Sequence, residues 1–400
     1  PFDQPSVDLI LRSSGHVYFH VHRAILTQAS PVFADMFSIP QPSTAPQSDH
    51  PPVVDVSETE ETLRCLLLLC YPLNKPHMES LQDVEPVLMA AIKYDMEWPL
   101  SFLSDRLQSA IADHPLRVWA IACRAGLAGI AQQAAATMKA PQASTETMTA
   151  SIRTHLQAEG LGVLDRIGAG TYYRLREYLR SPSSSCVFTI LPVPSTVPPP
   201  ATVKSPSSTP SSLDITPSFI TPDLPVDITL KCSDNVRVKT HKLMLVVHMP
   251  KNPHIVQVED GGTVEIHFPS QTVVDLLRVC YLTEVGLPLT LDRIARALEA
   301  SQSLGMDGVA AALHRRWKEK AASSPVAAFF AAAAHELDSD YIHDTARSTL
   351  RAKILGLYVK QMEDVAALVY HHLLQYHHDA SLAVDGVLEK KQDAFRSDTF

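Results

Sequence analysis

The chain has 400 residues, of which 46% are hydrophobic, and its formal net charge is −9. This length exceeds one ordinary domain and predicts two or three units of about 100–200 residues each. The acidic balance excludes a non-specific nucleic-acid binder, which needs an excess of lysine and arginine to displace phosphate counterions. We therefore expect no direct contact with nucleic acid.

The six cysteines, at positions 65, 70, 123, 186, 232 and 280, form no Cys-x-x-Cys pair. This spacing predicts neither a zinc site nor a disulfide framework. Free thiols fit a reducing compartment, so we expect an intracellular protein of the cytoplasm, the nucleus or both. No stretch approaches the roughly 18 apolar residues of a membrane span, and no contact with a membrane is expected. Because residue 1 is proline, we expect the natural chain to begin further upstream.

A β-hairpin is the first predicted element. Residues 7–12 and 17–21 alternate or run apolar on either side of Ser13-Ser14-Gly15, which is a turn sequence. A short helix is expected at residues 22–27. The pair Ser30-Pro31 predicts the start of a second helix, because proline is tolerated in a first turn.

The next segment, residues 38–52, carries five prolines and predicts a loop. Residues 53–56 follow as a third strand. Ser57-x-x-Glu60 has the pattern of a capping box and predicts the start of the next helix. Further helices are predicted at residues 84–94, with Pro86 in the first turn, and at residues 100–111, 115–125 and 172–179.

The second half of the chain repeats the pattern of the first. Asp8 is followed fourteen residues later by His22, and Asp227 is followed by His241 at the same spacing, so the offset is 219 residues. The offset becomes 210 farther along and 198 near the end, with the blocks in the same order, which predicts an internal repeat. Residues paired at the later offsets are Tyr71 with Tyr281, Leu88 with Leu298, Met96 with Met306, Trp119 with Phe329, and Tyr172 with Tyr370.

A segment rich in proline and serine separates the two halves. Residues 181–225 contain eleven of each, a composition that cannot bury enough apolar surface to offset its ordering entropy. We therefore predict domains at residues 1–180 and 225–400, joined by a partly extended linker at residues 181–224. Five Ser-Pro or Thr-Pro pairs are candidate phosphorylation sites, at Ser181, Ser205, Thr209, Thr216 and Thr221.

The order of elements defines the expected fold class. Each half has two strands, then helix, a third strand and a run of helices. This predicts an α+β fold that is mainly helical. It consists of two tandem units, each a small sheet flanked by a helical cluster with extra C-terminal helices.

Several segments of the first half resemble the BTB/POZ domain. They lie at residues 8–11, 19–26, 30–37, 66–71 and 90–96, so that the signature covers about residues 7–107. The proline-rich loop and Cys70-Tyr71-Pro72 are similar to BTB proteins of mushroom-type (basidiomycete) fungi. The second half keeps the hairpin and His241 but lacks a Ser-Pro-x-Phe segment, and the repeat identifies it as a shortened, degenerate BTB-like copy.

The resemblance implies protein binding. Members of the family form homodimers or heterodimers, so the expected partners are other proteins, including BTB proteins, a second copy of the chain, or the other half of the same chain. A 45-residue linker spans roughly 35–40 Å, which permits pairing of the halves. The structural signature positions are Asp8, His22, Leu26, Phe33, Tyr71 and Tyr94, with Asp227, His241, Leu245 and Tyr281 in the second half.

Two other roles stay open as alternatives. One is a substrate adaptor for a cullin-type ubiquitin ligase. Cullin-binding members carry a hydrophobic-x-Glu element before the third strand, whereas residues 38–52 contain no glutamate, which counts against this role. The other alternative is a transcriptional co-regulator that acts through protein partners.

No pattern indicates catalysis, a metal ion or a cofactor. The four histidines at positions 371, 372, 377 and 378 lack the i,i+4 spacing of a chelating pair. His335-Glu336 begins like a zinc-protease motif, but Ser339 stands where the second histidine is needed. His22 and His241 are expected to make capping or turn hydrogen bonds. We therefore expect no enzyme, no cofactor and no small-molecule substrate.

Overall fold

The computed structural model of the chain divides into two compact units. Unit 1 comprises residues 1–167 and 171–193, and unit 2 comprises residues 168–170 and 194–400. The structure describes residue 2 and residues 7–39, 51–139, 145–180, 213–220, 225–249, 261–282, 289–352 and 354–397. Most of these residues are helical, and each unit contains one small sheet. Within them, no helix is both long enough and apolar enough to cross a bilayer.

The sheet of unit 1 has the strand order β2-β1-β3. Strand β1 (Leu9–Arg12) pairs with β2 (Tyr18–Val21) antiparallel and with β3 (Val53–Asp55) parallel. The predicted hairpin and third strand are confirmed. Apolar side chains on alternate positions of the hairpin are buried, which fixes the face that packs on the helices.

Nine α-helices are described between residue 23 and residue 180, with a short 3-10 helix at Leu161–Leu164. Helices α1 to α5 complete the region of the sequence signature, and α6 to α9 follow it. Their bounds are α1 (Arg23–Ala29), α2 (Pro31–Ser38), α3 (Glu60–Cys70), α4 (Leu81–Lys93), α5 (Glu97–Ser109), α6 (Pro115–Arg124), α7 (Ala128–Met138), α8 (Thr145–Glu159) and α9 (Ala169–Arg180).

Several helix starts differ from the sequence prediction. Helices α5 and α9 begin at Glu97 and Ala169, each three residues earlier than predicted. Helix α3 is capped by Thr59, whose hydroxyl accepts the N–H of Thr62, and not by Ser57, so the predicted capping box at Ser57-x-x-Glu60 is wrong. Helix α4 begins at Leu81, three residues earlier than predicted, because Ser80 and Asp83 form a capping box. Pro86 therefore lies in the second turn of α4 and not in its first.

The sheet of unit 2 has four strands in the order β4-β6-β5-β7. Strand β5 (Ile228–Lys231) pairs with β6 (Arg237–Thr240) antiparallel and with β7 (Thr263–Glu265) parallel. Strand β4 (Asp214–Ile215) pairs with β6 parallel. Sequence composition placed residues 214 and 215 in the linker, so this strand is an element that the sequence did not predict.

The helices of unit 2 pack on one face of this sheet and on each other. Their apolar side chains and those of the inner strands form one core that includes Leu230, Leu245, Leu298 and Trp317. The described helices are α10 (Lys242–His248), α11 (Ser270–Tyr281), α12 (Leu291–Ser303), α13 (Asp307–Ser323), α14 (Pro325–Ala334), α15 (Ser339–Thr349) and α16 (Ala367–Ser397).

Candidate functional site

Tyr71 joins the end of α3 to the start of α1 in unit 1. Its hydroxyl accepts the main-chain N–H of His22 at 2.8 Å and lies 3.3 Å from the His22 ring nitrogen Nδ1. The carboxylate of Asp8 accepts the next N–H, from Arg23, at 2.7 Å. Burial is the main cause that raises the pKa of Tyr71, so its hydroxyl stays neutral and remains in place at physiological pH.

The first turn of α1 is therefore satisfied by residues distant in sequence. Helix N-termini leave N–H groups without intrahelical partners, and side chains commonly accept them. His22 occupies the N-cap position and makes no side-chain capping bond. Of the two kinds of bond expected for it, it makes the turn hydrogen bond, since its carbonyl accepts the N–H of Ile25 at 3.1 Å. The Tyr71 hydroxyl and the Asp8 carboxylate both have lone pairs that accept these N–H groups.

Unit 2 has the same arrangement at the start of α10. The Tyr281 hydroxyl accepts the main-chain N–H of His241 at 3.2 Å and lies 2.8 Å from Nδ1 of that histidine. The carboxylate of Asp227 accepts the N–H of Lys242 at 2.6 Å. Thr240 Oγ1 adds a third contact with the Tyr281 hydroxyl at 2.9 Å. His241 makes no side-chain capping bond either.

A second polar group in unit 1 surrounds Tyr94. The Phe33 ring stacks on the Tyr94 ring with centroids 4.7 Å apart, and the Ser30 hydroxyl donates to the Tyr94 carbonyl at 2.5 Å. The Tyr94 hydroxyl donates to the carboxylate of Glu58, which also accepts from Lys93 at 2.8 Å. This group ties α2 to α4 and to the residues that precede α3.

Hydrogen bonds from Lys93 and Tyr94 stabilise the charged form of Glu58. Burial acts to raise the pKa of Glu58, but the hydrogen bonds from Lys93 and Tyr94 outweigh it and lower that pKa. Burial and the Glu58 carboxylate together raise the pKa of Tyr94. Sequence reasoning did not identify Glu58, because the surrounding residues carry no spacing that marks a buried carboxylate.

All ten predicted signature residues have structural roles in the described units. Leu26 and Leu245 are fully buried, and Phe33 lies in the core of unit 1. The polar members meet in the groups described above. The hydrogen bonds of these polar members join helices to one another and to the hairpin.

The residues considered for metal binding also pack structurally. Nε2 of His377 lies 2.8 Å from Thr349 Oγ1, and burial lowers the pKa of that histidine. His335 stands just beyond the end of α14, and Glu336 has a positive φ of 47°, so the pair is not inside a helix as a zinc-protease motif requires. In the described ranges, no group of three or more His, Cys, Asp and Glu side chains could hold a metal ion.

The described cysteines are free thiols held neutral by burial. Burial raises the pKa of Cys70 and Cys232 to about 11 and that of Cys280 to about 12. The same cause raises the pKa of Cys65 and Cys123. Cys186 lies outside the described residues. A thiol with a raised pKa is a weak nucleophile at neutral pH.

Thr216 is the one candidate phosphorylation site within the described residues. It is exposed, directly follows β4, and precedes Pro217, which is buried. Ser181, Ser205, Thr209 and Thr221 lie outside the described residues, as do residues 40–50 of the predicted loop. Phosphorylation of all five stays a prediction, and phosphopeptide mapping tests it.

Helix α10 presents apolar side chains to solvent. Leu243 and Val247 are 69% and 61% exposed and stand four residues apart, on one face of the helix. The matching positions on α1, at an offset of 219, are Ala24 and Gln28, which are also exposed. The two helices thus expose different chemistry at equivalent positions, and the apolar pair on α10 is the stronger candidate for a protein contact.

Unit 1 has an aromatic patch of its own. Trp98 is 59% exposed. The Lys75 ammonium lies 4.6 Å from the Trp98 ring centroid and 5.2 Å from that of Phe102. Tryptophan contributes more binding energy than most residues at protein interfaces, so this patch is a second candidate surface.

A charged cleft of about 620 Å³ opens between α4, α5, α6 and α8. Its arginines are engaged within the unit: Arg117 pairs with Glu159 at 3.3 Å, and Arg106 donates to the Met78 carbonyl at 3.2 Å. Both arginines that line the cleft therefore have partners within the unit.

Comparison with known proteins identifies the first part of unit 1. Residues 2–109 match the family model of the BTB/POZ domain, so this part of the chain is a BTB/POZ domain, a protein–protein interaction module. The match spans β1 to α5, the region whose residues carried the resemblance. No curated protein shows significant similarity to the chain.

Proposed function

We propose that the chain is a non-catalytic assembly protein, in which the BTB/POZ domain and a second unit of the same architecture each bind protein partners. The match of residues 2–109 to the BTB/POZ domain carries this proposal. The signature polar residues support it, because they are used in internal hydrogen bonds that position helices. The absence of disulfides among the described cysteines favours an intracellular location, in the cytoplasm, the nucleus or both.

Three observations support unit 2 as a shortened BTB-like copy. Strands β6, β5 and β7 have the same order and directions as β2, β1 and β3. The Tyr281 hydroxyl binds the N–H of His241 as the Tyr71 hydroxyl binds that of His22. Apolar residues at equivalent positions are buried in both units, namely Leu88 and Leu298, Met96 and Met306, Leu103 and Leu313, and Tyr172 and Tyr370.

The proposed mode of assembly is association between chains through α10. Leu243 and Val247 form an exposed apolar pair whose burial in an interface removes both side chains from water. Two copies with different affinity tags are co-expressed, and one tag is purified. The second tag copurifies for the wild type and is lost for Leu243→Glu/Val247→Glu. Leu355→Glu, at an exposed leucine elsewhere in unit 2, is the matched control and retains copurification.

A substrate adaptor for a ubiquitin ligase is the second candidate function. The exposed Trp98 beside Lys75 favours it, since the patch lies on the BTB/POZ domain itself and is open to a partner. A pull-down with a cullin scaffold tests this role: the adaptor function predicts capture by the wild type and loss of capture by Trp98→Ala. A transcriptional co-regulator would contact DNA through partners, because the net charge of the chain is −9.

A further inference from the structure

Part of the linker lies on the sheet of unit 2. We call residues 213–220 the strap. Its main chain adds strand β4 to the outer edge of β6, where the Leu213 carbonyl accepts the N–H of Arg237 at 2.9 Å. The Asp214 carboxylate pairs with the Lys239 ammonium at 2.9 Å. The strap thus binds the edge of β6 through a main-chain hydrogen bond and an ion pair.

The end of the strap is anchored by apolar side chains. The Phe219 ring lies 5.8 Å from the ring of Tyr281, and the Arg278 guanidinium stands 5.4 Å from the Phe219 centroid. Ile220 and Pro217 are buried. Tyr281 is the residue that binds the start of α10, so the strap packs against the same tyrosine that organises the unit.

In unit 1, a residue that precedes the hairpin also contacts the outer strand, at a different position of that strand. The Phe2 carbonyl accepts the N–H of His20 on β2 at 2.9 Å, and the buried Phe2 ring lies 5.3 Å from the ring of Tyr71 in an edge-on contact. In each unit, an aromatic residue from the chain before the hairpin covers the equivalent tyrosine. Both units therefore place an aromatic residue from outside the hairpin against this tyrosine.

The strap is held by few contacts. Strand β4 has only two residues in the ladder, and a two-residue pairing is far shorter than the strands that are stable on their own. Ordering a proline- and serine-rich segment costs conformational entropy that these contacts must offset. The two-residue ladder therefore leaves the strap dependent on its side-chain anchors, Phe219 and Ile220.

We propose that the outer edge of β6, together with Tyr281 and Arg278, is a peptide-binding groove, and that the strap is its tethered occupant. Its ligand is an extended segment with an acidic residue that pairs with Lys239 and an aromatic residue that packs on Tyr281. Addition of a strand to a sheet edge is a common mode of peptide recognition. This groove does not depend on pairing through α10.

A competition experiment on the full chain tests the groove. A fluorescein-labelled peptide with the sequence of residues 211–222 is titrated with protein, and fluorescence anisotropy is recorded. The tethered strap competes at a local concentration of about the millimolar range, so the wild type binds the peptide weakly. The variant Phe219→Ala/Ile220→Ala, whose strap has lost its anchors, is expected to bind at least tenfold more tightly.

Three controls define the specificity. A peptide carrying the same two alanine substitutions is expected to bind at least tenfold more weakly. Arg278→Gln, added to the Phe219→Ala/Ile220→Ala protein, is expected to weaken binding, because the guanidinium no longer contacts the phenylalanine ring of the peptide. Arg316→Gln, at a partly exposed arginine of α13 that pairs with Glu319, leaves binding unchanged.

A second variant replaces the first one if the first does not fold. If Phe219→Ala/Ile220→Ala loses its helical circular dichroism, the strap is instead replaced by glycine and serine residues of equal length. Tight binding by either folded variant and weak binding by the wild type support the proposal. Equal affinity of folded variant and wild type, or no binding by a folded variant, overturns it.

Discussion

The hydroxyl of Tyr71 accepts the main-chain N–H of His22 at 2.8 Å, across 49 residues of sequence. Tyr281 and His241 repeat this relationship in unit 2, at 3.2 Å. In each unit, the contact joins the end of a long core helix to the start of the short helix after the hairpin. Together with the carboxylates of Asp8 and Asp227, this hydroxyl therefore positions α1 and α10 and any surface that they present.

Removal of the hydroxyl is expected to destabilise each unit. Tyr281→Phe leaves the N–H of the buried His241 without its acceptor, and Thr240 loses a partner too, so we expect a cost of about 1–3 kcal/mol. Tyr71→Phe is expected to cost about 1 kcal/mol, since His22 is exposed and water replaces the hydroxyl. Thermal unfolding by circular dichroism measures both. Tyr376→Phe, at an exposed tyrosine, is the control, and a loss in the control equal to that of Tyr281→Phe contradicts the account.

The link between the BTB/POZ domain and the helices after it depends on Arg124. Its guanidinium binds both oxygens of Glu85 on α4, at 2.6 and 3.0 Å, and donates to the carbonyls of Val163 and Asp165. Arg124→Ala removes these bonds from a largely buried site, so we expect a loss of about 3 kcal/mol in the free energy of unfolding. Chemical denaturation measures it.

An exposed ion pair supplies the control for Arg124. Arg64 pairs with Glu60 one turn away on α3, and both side chains are more than 40% exposed. Arg64→Ala is expected to cost less than about 0.5 kcal/mol. Similar losses for Arg64→Ala and Arg124→Ala would show that burial and bidentate geometry add nothing at Arg124.

The lowered pKa of Glu58 predicts a dependence of stability on pH. A carboxylate whose folded pKa lies below its ordinary value of 4.5 stabilises the fold above that pH. The contribution is lost as the pH falls from 4.5 through the folded pKa. Melting temperatures of the wild type are expected to drop over this window more steeply than those of Glu58→Gln. Parallel curves for the two proteins rule out Glu58 as a source of the effect.

Raised thiol pKa values predict slow alkylation of the native protein. Cys70, Cys232 and Cys280, with pKa values of about 11, 11 and 12, hold almost no thiolate at pH 7.5. Iodoacetamide is expected to leave their tryptic peptides unmodified in the native protein and to modify them in urea. Rapid labelling of any of the three before unfolding contradicts the burial that raises their pKa.

Much of the fold of unit 1 could be predicted from the sequence, because the sequence patterns that define its elements are local. Alternation of apolar residues gave the hairpin of β1 and β2, and Ser30-Pro31 gave the start of α2, where the Ser30 hydroxyl accepts the N–H of Phe33 at 3.1 Å. Helix starts that are fixed by capping side chains were harder to predict. Thr59 and Ser80 both lie among other residues with capping side chains, and only the fold selects between them.

Features that arise from tertiary contacts could not be predicted from the sequence. Strand β4 lies in a segment whose composition is typical of a linker, and it exists because β6 offers an unpaired edge. Glu58 is half-buried and stays charged because Lys93 and Tyr94 lie beside it, 35 and 36 residues farther along the chain. Of the capping and turn bonds expected for His22, its side chain makes no cap, because Tyr71, just beyond the end of α3, supplies the acceptor.

The solution mass tests the central claim, association between chains through α10, most directly. Light scattering on a size-exclusion column, from low to high micromolar concentration, is expected to give the wild type a mass that rises to about twice 43.9 kDa. The variant Leu243→Glu/Val247→Glu is expected to stay at 43.9 kDa. A wild-type mass that stays at that of one chain at every concentration contradicts the account.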